Sequence, residues 1–193
     1  MIGHYFLAVM LAGGSVPHGT PPKITTVGSD TTITINSDIG YPPWGQSIVN
    51  TLNKAKSSDV VRIVITTRGG SATTEEAITE AMDHTKATVI TEGKGLVASA
   101  GAYIFIDGRI KQVDAGSYYL FHRGSCGDNY GACPQEVYDS FIPRMDQLTG
   151  KYLTKEERKK ITKDDLQLWL GDSDMANRIT LGQYRGYFVG GNQ

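Results

Sequence analysis

A nearly unbroken run of apolar, β-branched residues constrains the fold more than any other feature of this chain. The run extends from Asp59 to Thr66 and has the length of one strand. Apolar side chains without polar alternation are typical of a parallel strand that is buried on both faces. The run therefore predicts a strand inside a mainly parallel sheet.

The neighbouring segments alternate between strand and helix patterns. Strand patterns occupy Lys23 to Asn36, Ala87 to Thr91 and Ser117 to Phe121. The first is a hairpin or two strands around a turn at Gly28-Ser29-Asp30. The second is followed by Gly93 and Gly95, which are expected to break the strand. Helix patterns occupy Gly45 to Ala55, a segment that begins at Thr73, and Ala98 to Ile106. In the second of these, Thr73 and Glu76 form a capping box. Its predicted inner face carries Ala77, Ile78, Ala81 and Met82. Repeated β-α units of this kind predict an α/β fold with a mainly parallel sheet.

Length and charge limit the possible organisation and partners. A chain of 193 residues suits one domain and hides roughly 70% of its unfolded surface. The 19 basic and 20 acidic residues nearly balance, and no basic cluster with interleaved aromatic residues occurs. We therefore do not expect nucleic acid as a partner.

The first 22 residues form an apolar N-terminal segment, and residues 23–193 form the predicted domain. Tyr5 to Ala12 followed by Gly13-Gly14-Ser15 resembles the core and end of a secretory signal. No Lys or Arg precedes it, and no Ala-x-Ala site follows. The alternative is a segment that packs on the domain or on a neighbouring subunit. The apolar run is too short to span a bilayer.

The two cysteines, Cys126 and Cys133, share one Gly-rich loop between Arg123 and Pro134. They form either a local disulfide or two reduced thiols. Neither a histidine nor a third cysteine completes a zinc pattern. We expect neither a metal nor a cofactor.

Three candidate site segments follow predicted strands. Gly69-Gly70 follows the strand ending at Thr66, Ser99 follows the one ending at Thr91, and His122 follows the one ending at Phe121. In parallel sheets, sites form where the carboxyl ends of strands meet. The sequence therefore predicts one site containing all three segments.

Each of these residues has a catalytic and a structural interpretation. Ser99 at a helix N-terminus suits a nucleophile whose product is an oxyanion, although a serine there is also a common helix cap. The backbone N–H groups of Gly70 and Ala100 would form the oxyanion hole. His122 would take the serine proton, although a lone histidine is more often structural. We interpret His4, His18 and His84 as surface residues.

These segments resemble the proteolytic subunit of the Clp protease family, within the wider crotonase-like superfamily. Thr67-Arg68-Gly69-Gly70 is similar to the family's Ser-Pro-Gly-Gly, with Arg68 in place of proline. Gly95 to Ala102 is similar to Gly-x-Ala-Ala-Ser-Met-Gly-Ala, and Leu120-Phe121-His122 to Met-Ile-His. The resemblance implies Ser99 as nucleophile, His122 as base, and Gly70 and Ala100 as oxyanion donors.

The third triad member implied by the resemblance is an aspartate twelve residues before the glycine of a closing Gly-Leu-Val-Asp. Gly186 opens the similar Gly186-Tyr187-Phe188-Val189, so the count falls on Asp174, with Asp172 as its rival. The family's Glu-Ala pair is missing, and Gly190 stands at the position of its final aspartate. An exposed loop carboxylate is the competing interpretation of Asp174.

The resemblance also implies a protruding handle helix through which rings of subunits meet. Pro134 to Tyr152 is similar in place, with Pro143 expected to kink or interrupt it. We interpret Lys155 to Thr162 as a solvated helix face and Lys163 to Leu170 as a short helix. The family implies a homo-oligomer, a heptameric ring or double ring, with an AAA+ unfoldase as a possible partner.

The function indicated by the resemblance is a cytoplasmic serine endopeptidase that cleaves peptides or unfolded proteins. If the N-terminal run is a signal, the protein is exported. Three different functions stay open beside it: a catalytically inactive ring subunit, a crotonase-like acyl-CoA enzyme, and a signal-peptide-peptidase-like enzyme with a serine and a lysine such as Lys94 or Lys111. A classical α/β-hydrolase is disfavoured because Val97 stands where Gly-x-Ser-x-Gly requires glycine.

Overall fold

A computed structural model describes residues 19–125, 133–162 and 166–184. Its strands are β1 (Lys23–Val27), β2 (Asp30–Ile35), β3 (Val60–Thr67), β4 (Thr88–Ala98), β5 (Ile110–Val113), β6 (Tyr118–Phe121) and β7 (Leu168–Gly171). Its helices are α1 (Gln46–Lys54), α2 (Ala72–His84), α3 (Ala100–Asp107), α4 (Gln135–Thr149), α5 (Lys155–Thr162) and α6 (Asp172–Tyr184). The predicted α/β architecture is confirmed.

The sheet is mainly parallel, with an antiparallel strand at each edge. Its order is β1-β2-β3-β4-β6-β7, and β5 also pairs with β4. The pairs β2–β3, β3–β4, β4–β5 and β4–β6 are parallel, whereas β1–β2 and β6–β7 are antiparallel. The parallel strands carry the core, and Ile63 and Ile65 of β3 are fully buried. The expectation that β3 is buried on both faces is wrong, because Arg62 and Val64 on its other face are half-buried and Thr66 is exposed.

The prediction that Gly93 and Gly95 end the fourth strand is wrong. β4 runs to Ala98, and its register against β3 shifts between Ile65 and Thr67. A Cβ on Gly93 would lie 2.3 Å from the Tyr119 hydroxyl oxygen, so this glycine permits a close approach to β6. The two glycines therefore shape one long, irregular strand.

Three further local predictions require correction. α2 is capped by Ser71, whose side chain accepts a hydrogen bond from the Thr74 N–H, and Ala77 is exposed. Strand β5 has no counterpart among the predicted strands. Leu168–Gly171 is a strand and not the end of a helix, because it pairs with β6, while residues 163–165 lie outside the described residues.

The predicted handle segment is helix α4, which continues through Pro143. The guanidinium of Arg144 lies 2.9 Å from the Asp83 carboxylate on α2 and 3.6 Å from that of Asp107 on α3. Tyr138 and Leu148 are buried. Ion pairs and apolar contacts together attach α4 to the helices beside the sheet.

The N-terminal segment before residue 19 lies outside the described residues, as do His4 and His18. Cys133 takes part in a disulfide bond, and Cys126, the other cysteine, lies outside the described part. His84 is exposed at the end of α2, as predicted. Among residues 19–125, 133–162 and 166–184, no helix has the length and apolar character needed to cross a bilayer.

Candidate active site

Three parallel strands end together at one edge of the sheet. Thr67 of β3 pairs with Val97 of β4, and Ala98 of β4 pairs with Leu120 of β6. Two residues beyond the first pair come Gly69 and Ser99, and two residues beyond Leu120 comes His122. Since neighbouring strands lie about 4.8 Å apart, the topology brings all three predicted segments to one place.

Ser99 has a backbone conformation that side-chain-bearing residues rarely adopt. Its φ is 55° and its ψ is −126°, and it is the one non-glycine residue with positive φ among those the structure describes. Such a conformation costs on the order of 1–3 kcal/mol and persists only where surrounding contacts enforce it. Strain of this kind clusters at functional sites, so the conformation supports a functional interpretation of Ser99.

Backbone hydrogen bonds hold Ser99 in this conformation. Its N–H donates to the Leu120 carbonyl at 2.8 Å, and its own carbonyl accepts from the Ala102 N–H at 2.8 Å. Ser99 occupies the N-cap position of α3, but its side chain makes no capping hydrogen bond. The hydroxyl is therefore not used to cap the helix, which removes the simplest structural explanation for it.

The Gly69-Gly70 turn packs directly against Ser99. Gly69 has φ 110° and Gly70 has φ 144°, a region that favours glycine. A Cβ on Gly69 would lie 2.4 Å from the Ser99 Cβ. A Cβ on Gly70 would lie 2.0 Å from the Ile39 carbonyl oxygen. Both positions therefore require glycine for conformation and for space.

The loop around Ile39 fixes this turn from the other side. The Ile39 N–H donates to the Gly69 carbonyl, and the Ser71 N–H donates to the Ile39 carbonyl, both at 2.8 Å. The Arg68 guanidinium forms two hydrogen bonds with the Asp38 carboxylate. The arginine that replaces the family's proline thus ties the turn to its neighbouring loop.

Gly70 and Ala100, the two expected oxyanion donors, directly follow Gly69 and Ser99 at this edge of the sheet. Gly69 lies beside Ser99, so the next residues of the two segments are also neighbours. Within the described ranges, no hydrogen bond uses either N–H group. Ala100 opens α3, where backbone N–H groups lack intrahelical partners and the helix dipole is positive. The arrangement offers donors for an anionic oxygen.

His122 follows β6 directly and is half-buried. The Tyr103 hydroxyl, one turn after Ser99 in α3, donates to the His122 carbonyl at 2.9 Å. The Gly124 N–H donates to the His122 Nδ1 at 3.1 Å. An Nδ1 that accepts a hydrogen bond leaves the proton of the neutral ring on Nε2.

Asp174 and its rival Asp172 lie at the opposite end of β6 from His122. The antiparallel register pairs Gly171 with Tyr118, at the start of β6, and α6 begins at the next residue. The Gly116 N–H donates to the Asp172 carboxylate at 2.8 Å, and this bond lowers the pKa of Asp172. The four residues of β6 span about 13 Å. The structure therefore does not bring either aspartate to His122.

Neither candidate lysine lies where it would act on Ser99. Lys94 forms an ion pair with Glu92 at 2.8 Å. Lys111 is buried, donates to the Gly108 carbonyl at the far end of α3, and has its Nζ 5.2 Å from the Tyr152 ring centre. Burial lowers the pKa of Lys111 to about 8. The geometry does not support a serine–lysine pair.

A buried acid, Glu75, and a buried phenol, Tyr103, were not predicted from the sequence as residues of interest. Burial raises the pKa of Glu75 on α2 to about 8 and raises the pKa of Tyr103 above its usual range. Glu75 is also among the charges that raise the pKa of Tyr103. The predicted capping motif contains Glu76 and not Glu75. No sequence pattern indicates that Glu75 is buried while Glu76 is exposed.

The fold and this strand-end cluster define an α/β protein with a candidate hydrolytic site at the carboxyl edge of a parallel sheet. The sequence model of the family described as Clp protease matches residues 29–165, and the chain belongs to this family. That match includes β2 to α5 and the Ser99 and His122 segments. It ends before Asp174.

Two curated relatives are similar over part of their length. The ATP-dependent Clp protease proteolytic subunit 2 of Borreliella burgdorferi is 30% identical over 125 residues, 62% of this chain and 63% of the relative. Proteolytic subunit 3 of Rhizobium meliloti is 30% identical over 123 residues, 61% of this chain and 63% of the relative. The chain thus spans just under two thirds of these relatives.

Solved structures share the fold. ClpP1 from Listeria monocytogenes is 22% identical, with a TM-score of 0.61, covering 76% of this chain and 86% of that chain. A point mutant of the same protein gives a TM-score of 0.59 over the same shares. This likeness confirms the expected Clp-protease-like α/β fold.

Proposed function

We propose that this protein is a serine endopeptidase in which Ser99 is the nucleophile and His122 the base. The observation that carries the proposal is the strained Ser99 backbone, held by β6 on one side and packed against Gly69 on the other. Family membership supports a peptidase, and the two curated relatives are named as proteolytic subunits.

In the proposed mechanism, the Ser99 hydroxyl attacks a peptide carbonyl while His122 Nε2 takes its proton. His122 then gives that proton to the leaving amine, and water resolves the acyl-enzyme. The N–H groups of Gly70 and Ala100 stabilise the oxyanion. Loss of one such donor costs about a hundred- to a thousandfold in rate.

A fluorophosphonate probe tests the nucleophile. We expect it to label the wild-type protein at Ser99, as located by peptide mass spectrometry, and to label neither Ser99→Ala nor His122→Ala. The matched control is Ser47→Ala, which removes an exposed hydroxyl on α1 and should label as wild type. Labelling of His122→Ala at the wild-type rate would contradict the base assignment.

The second candidate function is a non-catalytic ring subunit. The distance of Asp174 and Asp172 from His122 favours it, because a triad of the expected composition is not assembled. Absence of labelling in folded wild-type protein, together with normal assembly, would support this alternative over the peptidase.

Assembly into a heptameric ring or double ring, work with an AAA+ unfoldase, and a cytoplasmic location are further parts of the proposal. They rest on family membership. Sedimentation velocity of the full chain tests the ring assembly. A heptameric ring should give a fitted mass sevenfold that of one chain, and a double ring twice that value. A monomer at working concentration would contradict it.

A further inference from the structure

We propose that Gln167 is a positioning residue for His122, with its amide oxygen accepting a hydrogen bond from Nδ1–H during catalysis. This inference rests on the proposed function of His122. It assigns to a neutral amide the role that the sequence analysis gave to Asp174.

The strand register carries the inference. β6 and β7 pair antiparallel, with Phe121 opposite Leu168 at the end of the ladder. Continuing this register by one residue places His122 opposite Gln167. Directly opposed residues of an antiparallel pair have Cβ atoms about 4.5–5.5 Å apart, within hydrogen-bonding reach for a glutamine and a histidine side chain.

The alternation of side chains places both residues on the same face of the sheet. Tyr119 and Phe121 are fully buried in the core, so His122 belongs with Leu120 on the other face. On β7, Leu170 is buried and Trp169 is 52% exposed, so Gln167 belongs with Trp169 on that other face. The two side chains therefore share a face as well as a register position.

Trp169 orients the glutamine amide. Its indole N–H donates to the Gln167 Oε1 at 3.3 Å. Indole is a donor only, so this bond requires the oxygen, and not the NH₂ group, on the side of Trp169. The amide oxygen has two lone pairs and can accept a second hydrogen bond.

The bond from Gly124 to His122 Nδ1 defines a resting arrangement with the proton on Nε2. A base for Ser99 needs that proton on Nδ1. Gly124 has φ 91°, and among the described residues nothing lies within 4 Å of a Cβ there, so none of them blocks a change in the Gly124 backbone. Transfer of Nδ1 from the Gly124 N–H to the Gln167 oxygen would convert the resting tautomer into the working one.

Gln167→Glu tests this role because it adds a charge without changing the shape of the side chain. A carboxylate beside His122 favours the imidazolium, so the midpoint of the His122 NMR titration should rise by about one to three units. The midpoint of the acid limb of fluorophosphonate labelling should rise with it. Gln46→Glu, an exposed position on α1, is the matched control and should shift neither midpoint.

Gln167→Ala completes the test by removing the acceptor. Loss of one hydrogen bond to a charged ring should slow labelling about tenfold to a hundredfold. Three aspartate variants should be labelled at a rate within about twofold of wild type. They are Asp174→Asn and, in the segment outside the described residues, Asp164→Asn and Asp165→Asn. A full loss of labelling in one of these three, with Gln167→Ala unchanged, would overturn the proposal.

The NMR titration separates this inference from the proposed function. If wild-type protein does not label but Gln167→Glu shifts the His122 titration, the peptidase proposal fails and the Gln167 contact stands. If wild-type protein labels and the titration does not shift, the inference about Gln167 is wrong and the peptidase proposal stands.

Discussion

The glycines beside Ser99 and the glycine beside His122, Gly124, differ in how closely the described residues pack around them. On the serine side, a Cβ on Gly69 would lie 2.4 Å from the Ser99 Cβ, and one on Gly101 would lie 2.2 Å from Thr67 Cγ2. On the histidine side, a Cβ on Gly124 would meet nothing within 4 Å among the residues that the structure describes. The surroundings of the proposed nucleophile are closely packed, whereas no described atom lies close to the Cβ position of Gly124, beside the proposed base.

This difference indicates how the site is organised. The strained Ser99 backbone needs dense contacts to persist, and the Gly69 turn, α3 and β6 supply them. If His122 is the base, as proposed, its ring must exchange the hydrogen bond from Gly124 for another partner. The proposed site thus combines a preorganised nucleophile with a base that changes its hydrogen-bond partner.

The largest expected effect comes from adding a methyl group on the packed side. Gly69→Ala must displace Ser99, and displacement of a reacting group by about 1 Å costs on the order of a hundredfold in rate. We expect fluorophosphonate labelling to fall by at least that factor. Gly124→Ala, on the open side, should label within about tenfold of wild type.

The matched control for backbone strain is Gly28→Ala. Gly28 also has positive φ, 62°, but has nothing within 4 Å of an added Cβ and lies in the β1–β2 turn. The Gly28→Ala variant should have a lower free energy of unfolding than wild type, but its folded form should be labelled by the fluorophosphonate at the wild-type rate. Equal loss of labelling in Gly69→Ala and Gly124→Ala would contradict the proposed asymmetry.

The second prediction concerns the stability of the packed side at different pH values. Glu75 follows the Gly69-Gly70 turn, with its N–H bonded to the Ser71 carbonyl at 3.0 Å. Burial raises its pKa to about 8, above its value in the unfolded chain. The folded state therefore holds this proton more tightly, and the stabilisation is lost as the pH rises through 8.

Glu75→Gln should remove this dependence. Between pH 5 and pH 9, the wild-type free energy of unfolding should fall by about 2–5 kcal/mol more than that of the variant. Urea unfolding at fixed protein concentration measures both. Glu80→Gln, exposed on the same helix, should behave as wild type, and parallel pH curves for wild type and Glu75→Gln would refute the prediction.

The smallest expected effect comes from the hydrogen bond between Tyr103, on the Ser99 side of the site, and His122. Tyr103→Phe removes the hydroxyl that donates to the His122 carbonyl. The free energy of unfolding should fall by about 1 kcal/mol, and labelling should slow by about tenfold because the histidine backbone is less fixed. Tyr118→Phe, with an exposed side chain on β6, should change neither. Unchanged labelling in Tyr103→Phe would show that α3 does not position His122.

The sequence predicted the parallel sheet because its strands leave direct patterns. The buried run at β3 and the glycine, serine and histidine after successive strands identified both the core and the edge at which they meet. It did not predict β7, because Leu166, Leu168, Trp169 and Leu170 fit a helix face as well as a strand. The pairing with β6 decides between them.

Asp174 shows why counting along the chain did not locate the third side chain. The count assumes that the family's spacing is kept up to Gly186, beyond the 29–165 match. The register of β6 and β7 instead pairs Phe121, the residue before His122, with Leu168 and carries the aspartates to the other end of the strand. Only a long-range pairing contains this information.

Residue types and their spacing alone determined the α/β class, the buried β3 strand and the strand-end positions of Gly69, Gly70, Ser99 and His122. These depend on local hydrophobic periodicity and on glycine's conformational freedom, which are properties of short segments. The tertiary structure decided the conformation of Ser99, the burial of Glu75 and the pairing of β7 with β6. Each of these depends on residues distant in sequence that meet only when the sheet assembles.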